Sequence, residues 1–231
     1  MLHAPQLITN ARMLYLVWRP ADPAASAALL PDGLAPAEPP AVYLNQYVVD
    51  DPLQTSNGAD PDGFGAYSLT YLGVDLGGLV TEAGVPGRFW THYWNSSPSM
   101  IRYALDHGVP ATAGETRLDL DGDTLVARSI VDGAEVIRTT ARARVGSPTR
   151  ATGQLRYVTQ VGGDLVSGRY PFVADLAEHF EVVSLEFLGD AGGVSALRPA
   201  DPLEVTFGFY SEAITFCYPG GEGPLGSAHG S

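Results

Sequence analysis

What most restricts the fold of this chain is how regularly it stops being a strand. Runs rich in β-branched and aromatic residues recur along its length, and most are cut short by Gly, Pro or Asp. Residues 13–19 stop at Pro20, residues 64–76 at Gly77-Gly78, and residues 154–161 at Gly162-Gly163. Residues 125–131 and 134–145 flank Asp132-Gly133, the pattern of a tight hairpin. Further runs lie at 41–49, 88–94, 182–188, 203–210 and 213–218. Against these stand one alanine-rich helix at 23–30, closed by Pro31-Asp-Gly33, and a short helix-like piece before the turn at Gly108-Val-Pro110. The expectation is a mainly β fold of the α+β type, an antiparallel sheet or barrel-like core enclosing a ligand cavity, with a few short peripheral helices.

Alternation within 41–49 places Tyr43, Asn45 and Tyr47 on one face and Leu44, Gln46 and Val48 on the other. Bulk on both faces predicts a strand with a wall on each side. A chain of 231 residues with 45% hydrophobic content can bury one large core, read as a single domain over 1–219 with a flexible Gly/Ser/Pro-rich tail at 220–231.

Charge narrows the function. The net charge is −13, so a phosphate backbone is repelled and nucleic acid is not an expected partner. All thirteen basic residues are arginine. A lysine Schiff base, lysine-bound pyridoxal and the lysine of a phosphate-binding loop are therefore excluded. Cys217 is the one cysteine and sits in an apolar run, read as a buried, inert thiol in a reducing compartment. Met1 to Pro5 carries no leader pattern and no apolar stretch reaches bilayer length, so the expectation is a cytoplasmic protein without a membrane partner, acting on a small molecule.

Several segments, in order and spacing, resemble the acetoacetate decarboxylase family. They are Tyr15-Leu-Val-Trp-Arg19, Leu29-Leu-Pro-Asp-Gly-Leu34, Tyr93-Trp-Asn-Ser-Ser-Pro98, Asp121-Gly-Asp-Thr-Leu125, Leu155-Arg-Tyr-Val158 and the closing strands from 206 to 218. The resemblance spans nearly the whole chain and implies that family's fold and an assembly of copies. It also implies where the family's reactive groups should be, and they are missing. The positions matching its two lysines are Ala111 and Thr112, the glycine-arginine-glutamate before them is Tyr103-Ala-Leu105, and the strand of its catalytic glutamate offers Leu69, Thr70 and Tyr71. Its strand-one cation corresponds to Arg12 or to Ala11 beside it. Without an amine no imine forms, so the chain is not expected to be an acetoacetate decarboxylase.

What remains for a cavity lining is aromatic and hydrogen-bonding: Tyr15, Tyr43, Asn45, Tyr47, Tyr67, Tyr71, His92, Trp94 and Tyr103, with Arg12, Ala111 and Thr112 added by the resemblance. His92 is the titratable candidate for acid–base work, with Tyr67 and Tyr71 as further catalytic candidates; the competing reading of His92 is a core histidine bonded to a carbonyl. Ser97 or Ser99 with His92 and Asp106 lacks a nucleophile elbow. His92, His107 and Glu115 match no metal motif, and neither metal nor cofactor is expected. The expected function is a Schiff-base-independent enzyme that cyclises, isomerises or dehydrates a polyketide-like or keto-acid intermediate in secondary metabolism. The alternatives are a carrier of a small apolar metabolite and a lysine-free decarboxylase.

Overall fold

The computed structural model describes residues 6–80, 86–218 and 222–225. Met1 to Pro5, and residues 219–221 and 226–231 around and within the expected tail, lie outside them. In chain order the strands are β1 (Gln6–Trp18), β2 (Val42–Val49), β3 (Tyr67–Val80), β4 (Pro86–Asn95), β5 (Ala111–Ala113), β6 (Glu115–Asp121), β7 (Thr124–Val131), β8 (Ala134–Arg144), β9 (Thr149–Val161), β10 (Asp164–Leu176), β11 (His179–Phe187), β12 (Val205–Tyr218) and β13 (Gly223–Pro224). Helix α1 (Pro23–Ala27) is capped by the Asp22 side chain and α2 (Pro98–Asp106) by Ser97. Three-residue and seven-residue 3-10 segments, Pro52–Gln54 and Ala191–Leu197, complete the elements.

Seven strands close into a barrel in the order β12-β1-β2-β3-β4-β9-β10, with β10 returning to β12 over Phe172–Leu176. Pairing is antiparallel except at β4, which runs parallel to β9 and to β5. A second sheet, β11-β8-β7-β6, lies over one side. This arrangement explains the two-faced strands. On β1, Met13, Tyr15 and Val17 enter the lumen core, while Leu14, Leu16 and Trp18 join Leu118, Leu125, Ile137 and Leu185 in the layer between barrel and outer sheet. Each face is desolvated by a different neighbour, so both parities of β1, β2 and β3 are apolar.

The hairpin at Asp132-Gly133 forms with φ of 51° and 76°, and Gly162-Gly163 repeats it between β9 and β10 with φ of 60° and 97°. Three departures from the sequence reading have local causes. First, β10 was not expected, because Gly168 and Pro171 dilute its strand pattern. Gly168 is required by Tyr157, whose hydroxyl would lie 2.3 Å from a Cβ there, and Pro171 is exposed. Second, the expected strands at 203–210 and 213–218 are one strand, Val205–Tyr218, with a register shift near Ser211, and β3 continues through Gly77-Gly78. Third, β4 contains a bulge: Trp90 pairs with Gly73 and His92 with Leu72, which leaves Thr91 as an extra residue. Within the expected tail, Gly223–Pro224 pairs with β10.

Gly73 sits opposite that bulge, and a Cβ there would lie 1.8 Å from the Phe89 carbonyl oxygen and 2.7 Å from the Tyr43 hydroxyl. Gly73→Ala is expected to lose about 1–3 kcal/mol or more in urea unfolding, whereas Gly223→Ala, with open space around it, is expected to be nearly neutral.

Candidate functional site

The lumen is filled with phenols. Nine of the eleven tyrosines belong to its core, and several satisfy each other: Tyr47 and Tyr67 hydroxyls lie 3.0 Å apart and those of Tyr71 and Tyr170 2.7 Å apart. Toward the side formed by β9, β10 and β12 the filling stops. A cavity of about 210 Å³ opens there. Its apolar walls include Leu155, Phe172, Phe207, Phe209, Ile214 and Phe216, and its polar residues are Tyr15, Asn45, Arg88, Thr152, Gln154 and Tyr170. Phe207, 54% exposed, marks its mouth.

Arg88 is the charged residue of this lining. Its side chain is only 7% exposed, and its Nε donates to Asp75 Oδ1 at 3.1 Å on the neighbouring strand. The guanidinium carbon lies 4.8 Å from the Tyr15 ring centre and 5.1 Å from that of Tyr43, favourable stacking for a planar cation. Burial works against the charge, and the Tyr15 and Asp75 neighbours more than offset it, so the Arg88 pKa is raised. Burial pushes the Asp75 carboxyl up, opposed by Arg88. Burial likewise raises the Tyr15 and Tyr43 phenols well above their usual value, and lifts Tyr170 to about 12. These phenols are neutral donors at ordinary pH.

Three buried polar atoms on this lining have no partner within the protein: Arg88 Nη1, Tyr15 Oη and Asn45 Oδ1. An unmet buried polar group costs about 1–3 kcal/mol, and three around one apolar cavity form the set of contacts a bound molecule would complete. Two of them, a cationic N–H and a phenol O–H, can stabilise a developing oxyanion in surroundings that exclude most water, whereas Asn45 Oδ1 can only accept.

Of the residues expected from sequence, Tyr15 and Asn45 line this cavity. Tyr43 packs behind Arg88, and Tyr71 stands behind Tyr170 through its hydroxyl. Tyr47 and Tyr67 bond each other deeper in the lumen. Ala111 is buried in the lumen core, Thr112 is exposed, and Tyr103 lies over His107 with ring centres 4.2 Å apart. His92 and Trp94 are not in the lumen. The Thr91 bulge reverses the parity after Trp90, so Trp94 joins the layer under the outer sheet, and His92 Nε2 donates to the Gly192 carbonyl at 3.0 Å. Arg12 also faces outward, held by Asp50 at 2.7 Å and the Leu118 carbonyl. Ser97 caps α2 and donates to the Phe64 carbonyl, apart from His92. Cys217 is half-buried rather than buried. No group of three metal-ligating side chains gathers among the described residues, and no helix among them is long and apolar enough to cross a membrane. Sequence reasoning missed Arg88 and Asp75. The available signal was two opposite charges, each inside an otherwise apolar strand.

No family model and no curated protein matches the chain. Solved structures do, and the fold is acetoacetate decarboxylase-like. Acetoacetate decarboxylase from Legionella pneumophila aligns with a TM-score of 0.70 at 15% identity, over 96% of this chain and 87% of that one. An enduracididine biosynthesis enzyme, MppR, complexed with the condensation product of pyruvate and an imidazole carboxaldehyde, gives 0.65 at 16% identity over 99% and 92%. An acetoacetate decarboxylase-like enzyme from Sphingomonas wittichii gives 0.60 at 17% identity over 97% and 94%. At such identities the likeness is one of fold.

Two outcomes follow from the electrostatics. Asp75→Ala leaves the Arg88 charge buried and unpaired and is expected to cost about 3–5 kcal/mol in denaturant unfolding, while Asp75→Leu with Arg88→Met restores most of that loss. Burial also lowers the His92 pKa below its usual 6.5. Between the two values the unfolded chain binds the extra proton, so stability falls as pH drops through 6.5 and levels off below the folded value. The urea midpoint of wild type is expected to fall more steeply than that of His92→Asn between about pH 7 and pH 5.

Proposed function

We propose that this chain is a Schiff-base-independent enzyme of the acetoacetate decarboxylase-like fold, which cyclises, isomerises or dehydrates a polyketide-like or keto-acid intermediate of secondary metabolism. One observation carries the proposal: Arg88 Nη1 and Tyr15 Oη are unpartnered and line an apolar cavity. A substrate carbonyl seated against both donors gains more from them as its oxygen becomes anionic, which lowers the barrier to an enolate-like state while water entering at the Phe207 mouth takes the α-proton. Arg88 and Tyr15 thus serve in place of an imine as the electron sink. Tyr170, hydrogen-bonded to Tyr71 and neutral at ordinary pH, is the proton donor from the same lining. The phenylalanine walls hold the carbon skeleton in one conformation. A fold-sharing enzyme crystallised with a pyruvate condensation product is consistent with carbonyl chemistry in such a barrel.

A carrier function is the second reading, favoured by one specific feature: the lining contains neither carboxylate nor imidazole to accept a carbon-bound proton. The two readings separate on a panel of β-keto and polyene compounds followed by absorbance and mass spectrometry. Turnover is expected, with Tyr15→Phe losing about 10²–10³-fold in kcat while keeping its fold. Carbon dioxide release would identify a lysine-free decarboxylase instead. No turnover across the panel, together with tight binding of a product-like molecule, would leave the carrier.

A further inference from the structure

The same cavity specifies more of its ligand than a carbonyl, and this step rests on its being the functional site. Asn45 is the informative residue. Its Nδ2 is engaged by Met13 Sδ at 3.2 Å, so the amide presents its unmet Oδ1 instead. An amide oxygen accepts and never donates. The site therefore asks for a hydrogen-bond acceptor at Arg88 and Tyr15 and for a donor at Asn45. A carboxylate offers acceptors alone, leaving Asn45 Oδ1 unmet and facing it with a second electron-rich oxygen.

Charge points the same way. Arg88 already has its counter-ion in Asp75, a carboxylate with a side chain 6% exposed, and Arg88 is the one charged residue in the lining. A second anion would be desolvated without a second cation, an unfavourable arrangement in an apolar enclosure. A neutral oxygen meets Arg88 Nη1 without that penalty. Size sets the third limit. A cavity of about 150 Å³ lined by aliphatic and aromatic side chains holds benzene, and this one, at about 210 Å³, has room for a ring with a short substituted chain.

We propose that the cavity binds a neutral hydroxy ketone with an aryl-sized apolar end, its carbonyl oxygen on Arg88 and Tyr15 and its hydroxyl donating to Asn45, and that it discriminates against carboxylates of the same size. This narrows the proposed function to its polyketide-like arm and sets aside keto acids. Three probes test this by calorimetry on the full chain: the aldol adduct of benzaldehyde and acetone, benzylacetone, which lacks the hydroxyl, and β-phenyl-β-hydroxypropionate, which replaces the methyl ketone by a carboxylate. The adduct is expected to bind about tenfold or more tighter than either other probe, a difference of about 1.4 kcal/mol. Asn45→Val is expected to bring the adduct down to the level of benzylacetone and leave benzylacetone unchanged. Tighter or equal binding of the acid would overturn the neutral-ligand assignment. Equal binding of adduct and benzylacetone to wild type would overturn the role of Asn45, whether or not the variant folds. Both results leave the cavity standing as a site, whereas failure of all three probes to bind folded protein would remove the cavity, and the proposed function with it.

Discussion

A guanidinium enclosed in a barrel must have its charge answered from every side, and the inner architecture of this protein follows from that demand. Arg88 on β4 meets Asp75 on β3, and the rings of Tyr15 on β1 and Tyr43 on β2 pack against it. Four consecutive strands thus each commit a residue to one cation, which ties their register together beyond what the backbone ladder alone specifies. Room for Tyr43 in this cluster comes from Gly73, whose missing side chain lets the phenol reach the Phe89 carbonyl at 3.2 Å. What is left without a hydrogen-bond partner is Nη1, a buried atom of a residue that lines the cavity.

The barrel therefore has two parts with different physics. Its depth is a close-packed set of aromatic rings that answer one another, as in the stacked pair Trp90 and Tyr157 with centres 4.7 Å apart. Its flank, between β9, β10 and β12, is lined by phenylalanines that cannot hydrogen-bond and by three polar atoms that have not yet done so. Ala111, the position that the family resemblance matches to a lysine, belongs to the packed part. Absence of the amine and a buried cation at Arg88 are consistent with one another under the proposed function, in which a fixed cation takes the place of a covalent electron sink.

Much of the framework could be read from the amino acids because alternation and turn chemistry are local. Tyr43, Asn45 and Tyr47 share the lumen face as their spacing requires, and Asp132-Gly133 turns where its φ values allow. What could not be read depends on partners distant in sequence. Strand β10 looks weak until Tyr157 and Phe172 are seen packing over Gly168 and Gly153. Arg88 looks like one more surface arginine until Asp75 is placed opposite it. The misplacement of His92 and Trp94 has a single cause, an extra residue that alternation alone cannot register.

That extra residue also bears on how such a barrel can change its chemistry. Thr91 acts as a phase shift: every side chain from His92 to Asn95 owes its orientation to it. Deleting Thr91 would leave His92 opposite Leu72 and facing outward, whereas straightening the strand with Thr91 kept would turn His92 over into a lumen of phenols. Which face of β4 lines the lumen thus depends on whether one residue is set aside from the ladder, not on how many residues the strand contains.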